Sequence, residues 1–190
     1  MRVGDDEFEA DVIIFATGFD AVTGAATGID IRGRDGLQLS EAWSDVPRNY
    51  LGLALDGFPN MFTIAGPMGP NVNGPTFVEY QAEFIMAALR HAEEQDLAAL
   101  EARPEAVDGW VDLAGQVVEG TALSKAAEAN SWFVGANIPG RKPRVLAWFG
   151  GAGPYFDQLD NEVASGFESF TQRQANAETS EANADALATQ

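Results

Sequence analysis

The sequence predicts an α/β fold, and three observations support that class. An apolar, β-branched stretch at 8–15 runs into Ala-Thr-Gly at 16–18, which is typical of a buried strand that turns at the carboxyl end of a sheet. Two further apolar stretches, 50–55 and 61–65, indicate more strands. Amphipathic segments with helical spacing then follow, so we expect a sheet covered by helices.

The position of the first predicted strand is informative. A parallel sheet needs neighbouring strands, and too few residues precede Asp11 to supply them. Glycine turns after such strands lie where open α/β sheets bind nucleotides. We therefore expect the C-terminal piece of a larger dinucleotide-binding enzyme.

Short elements are expected between these strands. The glycine-rich segment 30–36 resembles a small hairpin. Ser40 is a candidate cap for one helical turn that ends at Trp43. The turn 56–60 separates the second and third strands.

The second half of the chain is predicted to be mainly helical. A glycine- and proline-rich loop at 66–75 precedes a helix from Thr76 to about Glu94, and Pro104 suits the first turn of the next helix. An irregular stretch follows at 130–143. We then expect a strand at 145–149, a last helix at 153–170, and a disordered tail from Thr171.

Composition excludes several classes of function. The 190 residues include no cysteine and a single histidine, so disulfide scaffolds, cysteine nucleophiles and multi-histidine metal centres are excluded and no metal site is expected. The net charge of −18 disfavours nucleic acid and anionic membranes as partners. No apolar run reaches membrane-spanning length, and the first residues lack a secretory signal, so a cytoplasmic location is expected.

Three groups of segments resemble the C-terminal part of Baeyer–Villiger monooxygenases, flavin enzymes similar to phenylacetone and cyclohexanone monooxygenases. The first comprises 15–25 and 29–33, and the second comprises 47–53 and 57–67. The third, Ser-Trp-Phe-Val-Gly-Ala-Asn-Ile-Pro-Gly-Arg-Lys-Pro at 131–143, is the most specific. The likeness extends over roughly residues 8 to 170.

The resemblance implies an α/β flavoprotein with two dinucleotide-binding domains, for FAD and NADP. In that family NADPH reduces the flavin, which then inserts one oxygen atom of O2 next to a ketone carbonyl, giving an ester or lactone. The family's catalytic arginine and its two glycine-rich phosphate loops lie upstream of Ala-Thr-Gly, and no G-x-G-x-x-G occurs here. We therefore expect the 190 residues to be inactive without a missing N-terminal part of the same enzyme.

The resemblance also suggests boundaries. Residues 1–75 would hold the last strands of the Rossmann-like FAD-binding domain, and 76–124 a helical segment. Residues 125–170 would hold a cofactor-closing loop, a strand and the C-terminal helix, with 171–190 as the disordered tail.

The cofactor-closing loop supplies the first candidate site residues. The tryptophan that Trp132 matches folds over the nicotinamide cofactor and donates its indole N–H to the ribose; the alternative is a core tryptophan. Asn137 is expected to shape this loop together with its glycines and Pro139. Arg141 and Lys142 are either phosphate contacts or solvated surface charges.

Other candidates come from the glycine turn and from the loop before the long helix. Ala16, Thr17 and Gly18 would lie between the flavin and nicotinamide domains, or form only a structural turn. By resemblance, Met68, Gly69 and Pro70 belong to a substrate-side loop, and Thr76 to the flavin-facing entry of the helix.

The chain departs from better-known members near that helix. It has Gly-Pro-Thr at 74–76 and Gln-Ala at 81–82 where they tend to have Ser-Asn-Met and Glu-Gln. Pro75 also removes a backbone donor. No residue is assigned a catalytic role, and His91, Asp20 and Asp30 are interpreted as surface or turn residues.

Alternative interpretations remain open. One is another class B flavin monooxygenase, including an N-hydroxylating enzyme, although the Trp-x-x-Gly-Ala-Asn segment disfavours this. A second is a non-catalytic partner or a split-gene subunit of a flavoprotein. The origin could also be a pseudogene product, and truncation or a mis-assigned start at Met1 is the favoured origin.

Overall fold

The computed structural model describes residues 1–16, 20–138 and 140–175. Its helices and strands, in chain order, are β1 (Arg2–Val3), β2 (Asp6–Glu7), α1 (Gly24–Thr27), α2 (Leu39–Ala42), α3 (Gly74–Glu94), β3 (Leu97–Ala102), α4 (Pro104–Val118), α5 (Ala152–Ala164) and β4 (Phe170–Gln174). Short 3-10 turns lie at Arg34–Gly36, Ala122–Lys125 and Trp132–Val134. Helices thus combine with two small antiparallel sheets, β1–β2 and β3–β4, which agrees with the α/β class at this coarse level.

The two long predicted helices are confirmed. Helix α3 ends at Glu94 as expected, and its cap is Asn73, whose side chain accepts a hydrogen bond from the Thr76 amide at 3.3 Å. Helix α4 begins at Pro104, which lacks the N–H that a first-turn residue leaves unpaired. The prediction that Ser40 caps its helix is wrong, because α2 begins one residue earlier and follows Gln38.

The predicted last helix is too long, and part of the predicted tail is ordered. Helix α5 stops at Ala164, and Gly166 and Phe167 then adopt positive φ angles of 71° and 61°, which break the helix. Strand β4 pairs antiparallel with β3, with Ala102 opposite Phe170. Residues 171–175 are therefore not disordered, and the rest of the predicted tail lies outside the described residues.

Three predicted strands form only isolated contacts. Residues 50–55 turn sharply, because Leu51 and Gly52 have positive φ angles of 56° and 69°. Single bridges join Tyr50 to Ala54 and Ala54 to Phe62 in place of strands at 50–55 and 61–65. Segment 145–149 forms one parallel bridge, Pro70 to Trp148. Residues 51–55 are buried, whereas 61–65 are partly exposed, with Ile64 at 50%.

The predicted strand at 8–15 is not formed in this structure. Its side chains are exposed: Val12 is 75% accessible, Ile14 85% and Phe15 83%. A strand of this kind is stable only between hydrogen-bonding neighbours. No neighbouring strand pairs with residues 8–15 within the described part of the chain.

The main hydrophobic core lies between α3, α4, α5 and the β3–β4 sheet. Its largest members are aromatic, and several are almost completely buried: Trp110, Trp148, Tyr155, Phe84, Phe167 and Phe170. The rings of Trp110 and Trp148 stack with centroids 4.7 Å apart. A smaller core around Leu39, Trp43, Leu55 and Phe58 lies under α2. Together these cores fix the loops between the helices.

Candidate functional site

A cavity of about 160 Å³ lies beside the first turn of α3. The loop before that helix contributes Gly66, Gly69 and Pro70 to its wall. Trp132 and Phe133 contribute aromatic surface from the predicted cofactor-closing loop. The predicted substrate-side and cofactor-side loops therefore meet at one cavity.

Buried polar side chains of the core hold the loop at 65–69 in place. Gln81 of α3 is fully buried, and its side-chain oxygen accepts a hydrogen bond from the Ala65 amide at 2.8 Å. Its Nε2 donates to the Tyr155 hydroxyl at 2.7 Å, and that hydroxyl donates to the Leu51 carbonyl at 2.7 Å. Every member of this chain of hydrogen bonds is paired. These polar groups are therefore buried without a cost in stability, and they stabilise the loop.

Close packing explains the glycines of this loop. A Cβ atom on Gly69 would lie 2.9 Å from the Gly66 carbonyl oxygen, and one on Gly66 would lie 2.3 Å from the Thr63 hydroxyl. The Trp110 indole also donates to the Met68 carbonyl at 3.0 Å. The backbone of this cavity wall is consequently fixed on the side that faces the hydrophobic core.

The loop that carries Trp132 is shaped by its own backbone. Ser131 caps the 3-10 turn by accepting a hydrogen bond from the Phe133 amide at 3.3 Å. Gly135 ends the turn with a φ of 66°, which favours glycine. Trp132 stacks on Phe133 with ring centroids 4.0 Å apart and remains 48% exposed. Trp132 is therefore not a core tryptophan in this structure.

An extended segment at 144–148 joins the two loops through main-chain hydrogen bonds. The Leu146 amide donates to the Phe133 carbonyl at 3.0 Å, and the Leu146 carbonyl accepts from the Met68 amide at 2.8 Å. The Trp148 amide donates to the Gly69 carbonyl at 2.8 Å. This connecting segment replaces the predicted strand 145–149 and bonds to both walls of the cavity.

The structure brings together only some of the predicted site residues. Trp132, Gly69 and Pro70 line the cavity. The side chain of Met68 is completely buried in the core, and the assignment of Met68 to a substrate-side loop stays a prediction.

Other predicted residues lie elsewhere or outside the described part. Ala16 and Asn137 are exposed and do not line the cavity. The amide and hydroxyl of Thr76 both donate to Asn73 Oδ1, so Thr76 serves the helix cap. Thr17, Gly18 and Pro139 lie outside the described residues.

Sequence reasoning missed a charged cluster next to the cavity. The Arg141 guanidinium lies 3.6 Å from Asp20 Oδ2 and donates to the Thr23 hydroxyl at 3.2 Å. Its side chain is only 8% exposed, although it was interpreted as a phosphate contact or a solvated charge. The spacing Asp20-x-x-Thr23 before a helical turn was the available signal, because it is typical of a side-chain cap.

Opposing effects act on Asp20. Burial by itself would raise the pKa of Asp20, but hydrogen bonds from the Thr23 hydroxyl and amide, with the charge of Arg141, outweigh it. The pKa of Asp20 is therefore lowered from its ordinary value. The cluster holds a carboxylate and a guanidinium together at neutral pH.

The described lining of the cavity contains no titratable side chain. It can exclude water, stack against a flat ring and offer backbone polar groups. Among the described residues there is no group of three or more potential metal ligands. No helix in the described ranges is long and apolar enough to cross a membrane.

Comparison with known proteins gives a consistent result, although no family model matches the chain. Acetone monooxygenase (methyl acetate-forming) of Gordonia sp. is 42% identical over 165 residues, which is 85% of this chain and 30% of that protein. A Baeyer-Villiger monooxygenase of Pseudooceanicola batsensis is 39% identical over 86% of this chain and 30% of its own length. A phenazine N-monooxygenase of Lysobacter antibioticus is 37% identical over 86% of this chain and 30% of its own.

Solved structures show the same relationship. Cyclohexanone monooxygenase from Rhodococcus sp. Phi1, bound to NADP+, superimposes with a TM-score of 0.80 and 40% identity over 88% of this chain and 31% of that one. OTEMO in complex with FAD and NADP has a TM-score of 0.74 and 33% identity, over 88% of this chain and 31% of its own. The chain is therefore related in sequence and in fold to the Baeyer–Villiger monooxygenases, and it spans about 30% of the length of the relatives it matches.

Proposed function

We propose that these residues form one wall and the cover of the redox site in an FAD- and NADPH-dependent Baeyer–Villiger monooxygenase. The whole enzyme would convert a ketone, O2, NADPH and a proton into an ester or lactone, NADP+ and water. The phosphate-binding loops for both dinucleotides would come from polypeptide beyond these 190 residues, since no G-x-G-x-x-G occurs within them. The cofactors follow from the relatives solved with NADP and FAD, and we propose a cytoplasmic location.

One observation carries this proposal. Trp132, from the loop expected to close over the nicotinamide, lines the same cavity as Gly69 and Pro70, from the loop expected beside the substrate. These segments are more than sixty residues apart in the sequence. Their convergence supports a shared site at which the cofactor and the ketone meet.

The size of the cavity indicates which part of a ligand the chain holds. Its volume of about 160 Å³ is below the roughly 300–1,000 Å³ of complete small-molecule sites. A single ring fits such a space, whereas a dinucleotide needs further walls. The aromatic and backbone surfaces present here fit a flat heteroaromatic ring, and they would hold a nicotinamide or the edge of a flavin.

The residues of this chain would act by covering and positioning. The half-exposed indole of Trp132 would exclude water from one face of the bound ring and offer its N–H as a directed donor. Gly69 would let main chain approach the ketone closely, and Pro70 would present an apolar surface with no donor. When bound, reduced flavin would supply the electrons that activate dioxygen.

The domain boundaries at 75, 124 and 170 remain part of this proposal. They are supported by α3 starting at Gly74 and by the Trp132 turn lying after α4. The described core crosses these boundaries, because α3, α4 and α5 share one hydrophobic cluster. We therefore propose them as segments of one packed unit.

A second candidate is oxygenation of an aromatic nitrogen. It is favoured by the 37% identity to a phenazine N-monooxygenase over 164 residues. The same wall and cover would serve such a reaction, since the lining residues that the structure describes include no acid or base that selects a ketone. A non-catalytic partner chain is the remaining alternative, and flavin content distinguishes it.

The test is to attach an affinity tag behind Gln190 at the native genomic locus and isolate the protein with whatever polypeptide carries or accompanies it. We expect a yellow preparation that oxidises NADPH faster when a ketone is added, and that transfers labelled oxygen from O2 into an ester or lactone. Trp132→Ala should lower the coupled rate roughly 10- to 100-fold, because cofactor placement is lost. Trp132→Phe is the matched control that retains a flat ring.

The outcomes separate the candidates. Oxygen transfer to a nitrogen heterocycle and not to ketones would replace the first proposal with the second. A colourless preparation with no substrate-dependent NADPH oxidation would contradict both and favour the non-catalytic partner. The isolated 190 residues should bind no flavin in stoichiometric amount.

A further inference from the structure

We propose that Arg141 and Asp20 form an internal charge pair that holds the Trp132 loop over the cavity, which makes both of them positioning residues. The inference rests on the proposed role of Trp132 as the cover of the cofactor. It adds that two residues outside the cavity lining keep Trp132 in place.

The first argument is the position of the pair. Arg141 lies in the same loop as Trp132, while Asp20 directly precedes Ala21 and Val22, which line the same cavity as Trp132. The two charges are separated by 120 residues in sequence and by 3.6 Å in space. The pair therefore bridges two walls of the cavity.

The second argument is burial. The Arg141 side chain is 92% shielded, and its Nε and Nη1 groups have no hydrogen-bond partner among the described residues. Its single described hydrogen bond goes to Thr23. Neutralisation by Asp20 is thus the main compensation for placing this guanidinium away from water.

The third argument is the rigidity of the acceptor. The Asp20 carboxylate accepts hydrogen bonds from the Val22 amide at 3.2 Å, the Thr23 amide at 3.0 Å and the Thr23 hydroxyl. Thr23 is completely buried. The carboxylate is therefore held by its own segment, independently of Arg141, which favours a single defined position for the guanidinium.

A neighbouring pair in the same loop provides a natural contrast. Lys142 lies 3.0 Å from Asp45, but their side chains are 79% and 56% exposed. Water solvates and screens such a pair, so it contributes little to loop position. Asp20→Asn and Asp45→Asn remove one carboxylate charge each, from a buried and an exposed pair.

The experiment measures how accessible Trp132 is in the full chain. The other three tryptophans, Trp43, Trp110 and Trp148, are at most 4% exposed, so quenching of fluorescence by acrylamide reports mainly on Trp132. The Trp132→Phe variant supplies the background. No cofactor is needed, so the result is independent of the proposed function.

Asp20→Asn should raise the Trp132 quenching constant by up to about twofold, because the unpaired guanidinium reaches water only when the loop swings out from its 48% exposed position. Asp45→Asn should leave the constant unchanged. In the double variant, Asp20→Asn with Arg141→Met, the quenching constant should return towards its original value, because a methionine tolerates the buried position without a counter-charge.

Two results would overturn the inference. One is an unchanged quenching constant in Asp20→Asn while thermal unfolding shows the chain folded. The other is a quenching constant in the double variant as high as that of Asp20→Asn, which would show that the charge of Arg141 does not govern the position of the loop. Global unfolding midpoints for every variant separate loop opening from loss of the fold. A failed oxygenation assay would leave this inference standing, since the two tests share no readout.

Discussion

The exposure of apolar side chains differs sharply between residues 1–16 and residues 50–170. In the first region Ile14 and Phe15 are more than 80% exposed, whereas Leu51 and Leu53 in the second are completely buried. Both regions contain apolar runs, at 12–15 in the first and at 51–55 in the second. The difference is that α3, α4, α5 and the β3–β4 sheet bury each other's apolar faces, while the first stretch finds no such partner in the described residues. Apolar sequence alone therefore does not determine burial.

The largest test of this contrast is Trp110→Ala in the second region. Trp110 is 3% exposed, stacks on Trp148 and donates to the Met68 carbonyl. We expect the free energy of unfolding to fall by about 3–5 kcal/mol, since a cavity forms and a buried acceptor loses its donor. Urea unfolding followed by circular dichroism measures this.

Trp132→Ala is the matched control for that substitution. The same atoms are removed from a half-exposed ring, so the cost should stay within about 1 kcal/mol. Equal costs at the two positions would mean that the loop belongs to the stable core, and the contrast would fail.

A medium effect is expected from Tyr155→Phe. This change leaves Gln81 Nε2 without its acceptor and the Leu51 carbonyl without its donor, both in a buried setting. The free energy of unfolding should fall by about 1–3 kcal/mol at neutral pH. Tyr80→Phe is the control, because Tyr80 is 37% exposed, and its effect should be much smaller.

The same tyrosine predicts a dependence on alkaline pH. Burial raises the pKa of Tyr155 well above its ordinary value, and the Gln81 hydrogen bond offsets only part of that rise. Above about pH 10 the unfolded chain releases this proton while the folded chain keeps it, so stability falls as pH increases. Tyr155→Phe should show a shallower decline in its unfolding midpoint over that range, and an identical decline would contradict the assignment.

The smallest effect on stability is expected in the first region. Ile14→Ser with Phe15→Ser should change the free energy of unfolding by no more than about 0.5 kcal/mol, since neither side chain is buried. Self-association measured by sedimentation velocity should decrease, because an exposed apolar stretch favours aggregation. Leu53→Ala, at a buried site, is the control and should cost about 2–5 kcal/mol.

The elements that sequence reasoning predicted correctly are those specified locally. Helix α4 follows from a proline at its first position and an apolar face that recurs at helical spacing. Strand β3 was missed because its alanines and leucines also suit a helix, and its pairing partner β4 lies about seventy residues away. The stretch 8–15 was predicted as a strand from its strand-like composition, but within the described residues no strand pairs with it.

The residues of the candidate site also fall into a group that local motifs predict and a group that depends on contacts between distant segments. Trp132, Gly69 and Pro70 were predicted because short motifs carry them. The pair of Asp20 and Arg141 was not, because burial of a charged side chain depends on contacts between distant segments, which periodicity does not reveal. The complete burial of Met68 is likewise a property of the hydrophobic core that it shares with Trp110.

The extended segment 144–148 has a mechanical consequence. Because its main chain is bonded on one side to Phe133 and on the other to Met68 and Gly69, neither wall of the cavity retreats without breaking those bonds or drawing its counterpart along. A bulky group that pushes against one loop therefore displaces the indole on the other. If a cofactor ring and a reactant bind here as proposed, the fit around the ring and the space for the reactant would change together.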